Sequence, residues 1–278
     1  MKKIVMTSPE SYGVSYNINP WMEGNIGQTD PEEASRQWSV VKESLITAGA
    51  QLTVMESPPA DCPDAVFVAN AGVVLGKKFL PSRFKYEQRA AEEPYFTSWF
   101  RDAGYEIIEP DYSCSTRESL AFEGAGDALF NVDRSDLWYG IGFRGTYPFS
   151  EQLHQIFESE RVTVKVLAMV NPNFYHLDTC FCPLDTGELL WYPDAFSDHS
   201  QKIIRAAYKK SAIEVSARDA VAFACNAISV GSSIVTSVIS RELNAHLQAR
   251  GYEVYQCDVS QFLKSGGGCK CLSLELVE

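Results

Sequence analysis

Long apolar runs are missing from this sequence. No stretch approaches the ~18 uninterrupted apolar residues that a membrane-spanning helix needs. The opening MKKIVMTSPES offers an apolar run of only three residues, too short for the core of a secretory signal. Basic stripes are missing as well. With 24 Lys and Arg against 36 Asp and Glu, the net charge is −12 and no row of cations is available for a phosphate backbone. Nucleic acid and membrane are therefore excluded as partners, whereas an acidic balance suits a small cationic substrate. Linkers rich in Pro, Gly and Ser and low-complexity segments are absent, so residues 1–278 read as one domain. Histidine is scarce, at four residues, so each one near an apolar stretch stands out. Cysteine is not scarce, at eight residues. Their placement is not that of a small stapled domain, and a chain of this length buries a core without disulfides. Free thiols in a reducing compartment, and a soluble cytoplasmic protein, are the expectation; self-association is left open.

What is present is a repeated grammar with almost no repeated identity. Each of five units opens on a short strand carrying a polar residue, passes through a second strand or turn and a helix, and closes on an alternating strand. The closing strand AGAQLTVME (48–56) follows the helix DPEEASRQWSVVKESLIT, with Asp30 as N-cap and Pro31 as the first helical residue. AGYEIIEP (103–110), VTVKVLAMV (162–170), IEVSARD (213–219) and GYEVYQCDV (251–259) each follow a comparable amphipathic helix. The opening strands are VSYNINP (14–20), DAVFVANAGVVLG (64–76), ESLAFEGAGDALFNV (118–132), FYHLDTCFCPL (174–184) and VAFACNAISVG (221–231). GGGCKCLSLEL (266–276) reads as a last strand with no helix after it, placed to close back onto the first unit. The pattern implies an α/β fold built as a five-bladed fan with approximate fivefold symmetry. In an ordinary doubly wound sheet the polar strand residues would have no reason to recur.

In a closed fan the equivalent positions meet near the axis. Asn17, Asn19, Asn70, Glu123, Asp127, His176, Asp178, Asn226 and Cys271 would gather there. Such groups are costly to bury without partners, so their recurrence in apolar segments marks a site. Strand alternation in His176-Leu177-Asp178 predicts that His176 and Asp178 share a face. A lone buried histidine is usually structural, but here a carboxylate stands beside it. Three glycines in SGGGCKC (265–271) let the backbone approach a ligand closely just before Cys271. A thiol with distant His and acidic partners is the pattern of nucleophilic catalysis. The pairs Cys180/Cys182 and Cys269/Cys271 with His176 suggest zinc at first sight. Their C-x-C spacing and acidic and amide neighbours do not resemble a tetrahedral site, so no metal is expected. On a strand Cys269 would share a face with Cys271, which leaves a resolving-thiol role open beside a packing role.

Taken in order, FVANAG (67–72), FEGAGDALF (122–130), YHLDTCFCPL (175–184), FACNA (223–227) and SGGGCKCLSL (265–274) resemble the guanidine-modifying superfamily. That superfamily contains arginine deiminases, dimethylarginine dimethylaminohydrolases and amidinotransferases. INPWM (18–22), PSRF (81–84), FRGT (143–146) and YPDAF (192–196) resemble its arginine dihydrolase group in particular. The resemblance spans nearly the whole chain and implies a five-bladed α/β propeller that needs no cofactor. It implies Cys271 as nucleophile, His176 as general acid and base, and Glu123 as the acid that orients His176. It implies Asp178 as a carboxylate holding two guanidinium N–H groups and Asn19 as a substrate contact. Asp127 is a second candidate for the role of Glu123, because the motif is EGAGD rather than the deiminases' EGGD. Arg144, with either Arg83 or Arg89, matches the clamp on the substrate's α-carboxylate.

Asn70 departs from the deiminase pattern FVRD, where a second carboxylate stands. Carboxylates suit a guanidinium, which only donates hydrogen bonds, and repel the oxygen of a ureido product. An amide also donates, so it can retain that product for a second attack. The expected activity is hydrolysis of arginine to ornithine, two ammonia and carbon dioxide through a Cys271 thiouronium. The alternatives are a deiminase stopping at citrulline, a dimethylargininase, an amidinotransferase, and a guanidino-ligand binding protein without turnover.

Overall fold

A computed structural model describes the whole chain except Ser57, Cys114 and Glu278. The first blade contains β1 (Lys3–Thr7), α1 (Pro31–Thr47) and β2 (Gln51–Met55). The second runs β3 (Gly72–Leu75), β4 (Lys78–Pro81), α2 (Glu92–Asp102) and β5 (Glu106–Ile107). The third runs β6 (Ala128–Phe130), β7 (Asp136–Ile141), α3 (Phe149–Glu158) and β8 (Thr163–Ala168). The fourth runs β9 (Phe181–Pro183), β10 (Leu189–Trp191), α4 (Asp198–Tyr208) and β11 (Ala212–Glu214). After the short α5 (Ala217–Val221) comes the fifth, β12 (Ile228–Val230), β13 (Ser233–Ser237), α6 (Arg241–Ala249) and β14 (Glu253–Cys257). The chain ends on α7 (Ser260–Leu263) and β15 (Leu274–Leu276).

Among the described residues the strands form five sheets of three, β15-β1-β2, β3-β4-β5, β6-β7-β8, β9-β10-β11 and β12-β13-β14. In every sheet the central strand pairs antiparallel with one neighbour and parallel with the other, the parallel partner being reached through the blade's helix. This is the five-bladed α/β propeller. The amphipathic helices form where their spacing predicts. Asp30 caps α1 by accepting from the backbone N–H of Glu32 and Glu33, with Pro31 following. α2 buries Phe96 and Phe100 one turn apart, and Phe100 stacks on Phe79 of β4 with ring centroids 3.8 Å apart. Each such buried ring contributes roughly 1.5–3 kcal/mol of apolar burial.

Two expectations about strands are corrected. Residues 14–20 form no strand; β1 takes the central place in the first blade, and β15 pairs antiparallel with it, Leu276 opposite Lys3. The polar groups of 14–20 instead build a 3₁₀ turn, in which Asn19 Oδ1 accepts from Trp21 N and Met22 N. The polar axial residues also precede the strands rather than lie on them. Val68–Ala71, Gly124–Gly126 and Leu177–Thr179 are buried 3₁₀ turns leading into β3, β6 and β9. His176 is the extended residue before its turn, so His176 and Asp178 do not alternate along a strand. A turn with three residues per revolution spreads consecutive side chains around its axis, whereas a strand sends every second one away.

Candidate active site

The glycine run is required by close packing. A Cβ at Gly266 would lie 2.8 Å from Tyr175 Oη, one at Gly267 2.2 Å from the Phe67 ring, and one at Gly268 2.8 Å from Asn226 Oδ1. The loop thereby delivers Cys271 to a buried position. Its Sγ donates to Asp178 Oδ2 at 3.3 Å and accepts from Asn226 Nδ2 at 3.1 Å, while Asn226 Oδ1 accepts from Cys271 N at 3.2 Å. Asn226 thus grips the cysteine at both backbone and sulfur. Burial, with Asp178 beside it, pushes the thiol well above its ordinary range, so the resting group is S–H rather than thiolate. Burial also raises Asp178, to about 7, against the opposing field of Lys270 and the hydrogen bonds from Cys271 and Asn226. Asp178 Oδ1 has no partner among the described residues. It is an acceptor held open for a donor.

His176 Nε2 lies 2.8 Å from Glu123 Oε2. Burial opposes ionisation of Glu123, but Arg144 Nη1 at 2.8 Å and His176 together hold it below the usual carboxylate range. Burial pulls His176 down to about 4 despite Glu123. A neutral imidazole next to a carboxylate donates from Nε2, which leaves Nδ1 as the basic nitrogen. Asp127 is buried beneath this pair and outside the pocket. Its Oδ2 accepts from Glu123 N at 2.8 Å and fixes the EGAG turn, and burial and Glu123 push its carboxyl up.

Asn70 Oδ1 accepts from Arg89 Nη1 at 2.8 Å. Because a guanidinium has no acceptor, the amide orientation is settled, and Nδ2 is the atom left for a ligand, with only a 3.4 Å bond to Glu123 O. Arg89 is held by a two-point pair with Glu92, at 2.8 and 2.7 Å. Arg144 lies between the Tyr86 and Tyr175 rings, 4.8 and 4.7 Å from their centroids. Asn19 Nδ2 donates to Ser265 O at 3.0 Å and ties the INPWM turn to the glycine loop.

These groups surround a narrow pocket lined among others by Asn19, Asn70, Arg89, Arg144, His176 and Cys271. Glu123 and Asp178 back it through His176 and Cys271. Arg83 is not part of it. Its Nη1 donates to Ser115 Oγ at 2.8 Å and its guanidinium lies over Tyr112, so of the two arginines left open by the sequence only Arg89 reaches the pocket. The sequence reading passed over Asp64, which lines the pocket with Oδ2 bonded to Tyr16 Oη at 2.8 Å and Oδ1 unpartnered among the described residues. Its place at the start of an apolar run looked like a strand boundary. Asn226 was placed at the axis by the repeat, but nothing in FACNA signalled its grip on Cys271. Residues 269–272 form a turn rather than a strand, so strand alternation does not relate Cys269 to Cys271; Cys269 is buried in the same apolar cluster as Cys257 and Cys271. The described cysteines are free thiols, and Cys114 lies outside the described residues.

The family model of eukaryotic N,N-dimethylarginine dimethylhydrolases matches residues 21–278. The bifunctional arginine dihydrolase/ornithine cyclodeaminase ArgZ of Synechocystis sp. is 40% identical over 99% of this chain and 38% of its own length. The chain thus spans about two-fifths of that relative. The N(G),N(G)-dimethylarginine dimethylaminohydrolase of Mycobacterium tuberculosis is 33% identical over 99% of this chain and 86% of its own. A crystal structure of the N-terminal domain of ArgZ, covalently bound to a reaction intermediate, is 39% identical, covers 100% of this chain and 98% of that one, and superposes with a TM-score of 0.94.

Proposed function

The chain belongs to the guanidine-modifying family of dimethylarginine dimethylaminohydrolases and arginine dihydrolases, and from that premise we propose that it hydrolyses L-arginine to ornithine, two ammonia and carbon dioxide. Two arginines in the pocket, Arg89 and Arg144, receive the α-carboxylate, and the open oxygen of Asp64 receives the α-ammonium. The guanidinium lies against Asp178, whose free Oδ1 accepts its N–H groups. The arriving cation lowers the Cys271 pKa, the thiol proton passes to the neutral His176, and the thiolate adds to the guanidinium carbon. Protonation by His176 releases the first ammonia as the C–N bond breaks, leaving a thiouronium. His176 then takes a proton from water, which adds to the same carbon, and the C–S bond breaks to give citrulline and the thiolate. A second round adds Cys271 to the ureido carbon and releases the second ammonia. Water cleaves the resulting thiocarbamate to a carbamic acid, which falls apart to ornithine and carbon dioxide.

The observation that carries two rounds rather than one is the orientation of Asn70. With Oδ1 committed to Arg89, the amide presents N–H to the ureido oxygen, where a carboxylate would repel it. The test quantifies citrulline, ornithine and ammonia after incubation with arginine. Ornithine with about two ammonia per arginine, abolished in Cys271→Ser, is the expected result. Citrulline with about one ammonia makes the protein a deiminase. Turnover of dimethylarginine to citrulline and dimethylamine, with arginine inert, selects the reading that the family model and the mycobacterial relative favour. Arginine binding with neither reaction leaves a binding protein.

A further inference from the structure

Behind the nucleophile loop the propeller axis holds a second cavity, of about 70 Å³ and partly open to solvent. The first strands of the blades bound it, through Ile4 of β1, Val74 of β3, Leu129 of β6, Phe181 of β9 and Ile228 of β12. It shares no lining residue with the pocket at Cys271. Lys2, Arg134 and Lys270 reach it, against one carboxylate, Glu275. Glu275 is already taken by Lys2 at 3.1 Å and Arg134 at 2.8 Å, and Lys2 also pairs with Asp185 at 2.7 Å. The Lys270 side chain, unlike its backbone, has no hydrogen bond or ion pair among the described residues. Lys270 is half-buried, with Glu275 and Asp178 near enough for their charges to act on it, and no step of the reaction proposed above contacts it. One unpaired cation with apolar strands around it is the complement of a carboxylate on a short hydrocarbon chain.

We propose that the axial cavity binds a small monocarboxylate anion, its carboxylate on the Lys270 ammonium and its hydrocarbon tail among the first strands of the blades. The site is coupled to the catalytic one by position. Lys270 precedes Cys271 in the chain, and its charge is the leading one that favours ionised Asp178. An anion on Lys270 offsets that field, so, on the functional reading given above, occupancy raises the KM for arginine.

The test is calorimetric titration of the whole protein with butyrate, with 1-butanol and chloride at matched ionic strength as controls. Saturable one-to-one binding of butyrate, absent for both controls, is expected. Lys270→Met should weaken it at least about tenfold, ~1.4 kcal/mol. Ala128→Leu, which fills the cavity and keeps the charge, should weaken it as well and decides the matter if the lysine variant does not fold. Absence of saturable binding overturns the proposal. So does binding that L-arginine displaces and Lys270→Met leaves unchanged, since butyrate then sits in the arginine pocket. Binding is read without turnover, so its failure leaves the product analysis intact.

Discussion

In the proposed reaction Asn70 decides between one hydrolysis and two, because a single atom differs between amide and carboxylate at the spot where the ureido oxygen would rest. Arg89 pins Asn70 Oδ1 at 2.8 Å, so Nδ2 cannot be exchanged for oxygen by a flip without setting a donor against a donor. Asn70→Asp keeps the bond to Arg89 and removes the N–H. The expected outcome is a fall in ammonia per arginine from about two towards one, with citrulline replacing ornithine. Undiminished ornithine from that variant would end the role given to Asn70. Residue identities at this site were legible in the sequence, since Cys271, His176, Glu123, Asp178 and Asn70 stand in recognisable motifs. Their partners were not. That Arg89 rather than Arg83 reaches the pocket depends on a turn at Glu87–Arg89 that folds back over Phe84, and spacing alone does not encode that direction.

The elements that carry the chemistry are the buried turns ahead of β3, β6 and β9, and glycines set how closely they approach. A Cβ at Gly126 would meet Asn70 Nδ2 at 2.2 Å and His176 Cγ at 3.2 Å, so this glycine separates the amide from the imidazole. Gly126→Ala must therefore displace one or both. A loss in kcat/KM of at least about tenfold is expected, because small misplacement of reacting groups is heavily penalised. Kinetics at saturating and limiting arginine measure it; an unchanged kcat/KM would show that the two side chains yield without consequence. The amphipathic helices were legible because their apolar faces repeat every three to four residues, as α2 illustrates with Phe96 and Phe100. The turns were not. In VANA and GAG small and polar residues mix without a period, and only the neighbouring turn from the next blade makes them compact.

At the scale of the whole molecule the site is held against its own electrostatics. Asp178 ionises near 7 in the folded chain and near 3.8 otherwise, so between those values the folded state binds more protons and stability falls as pH rises. His176 works in the opposite direction, with a folded value of about 4 against 6.5, so the unfolded state binds more protons there and stability rises with pH. Over their shared window the two slopes oppose each other. Asp178→Asn removes the first and leaves the second. The melting temperature of this variant, relative to the parent, should therefore rise between pH 4 and pH 8, reflecting a few kcal/mol. Scanning calorimetry across that range decides it; a constant difference would mean that Asp178 ionises as an ordinary exposed carboxylate.

The sequence by itself determined the five-unit α/β repeat, the helices, the return of the last strand to the first blade and the residue types at the axis. These follow from local periodicity, caps and composition, which a chain carries wherever it goes. Only the tertiary structure decided which strand stands at the centre of the first blade. It also decided that Asn226 grips Cys271, that Asp64 faces the pocket, and that Lys270 stands unpaired in a second cavity. Each joins segments far apart in the chain, and their burial and charge exist only once the ring has closed.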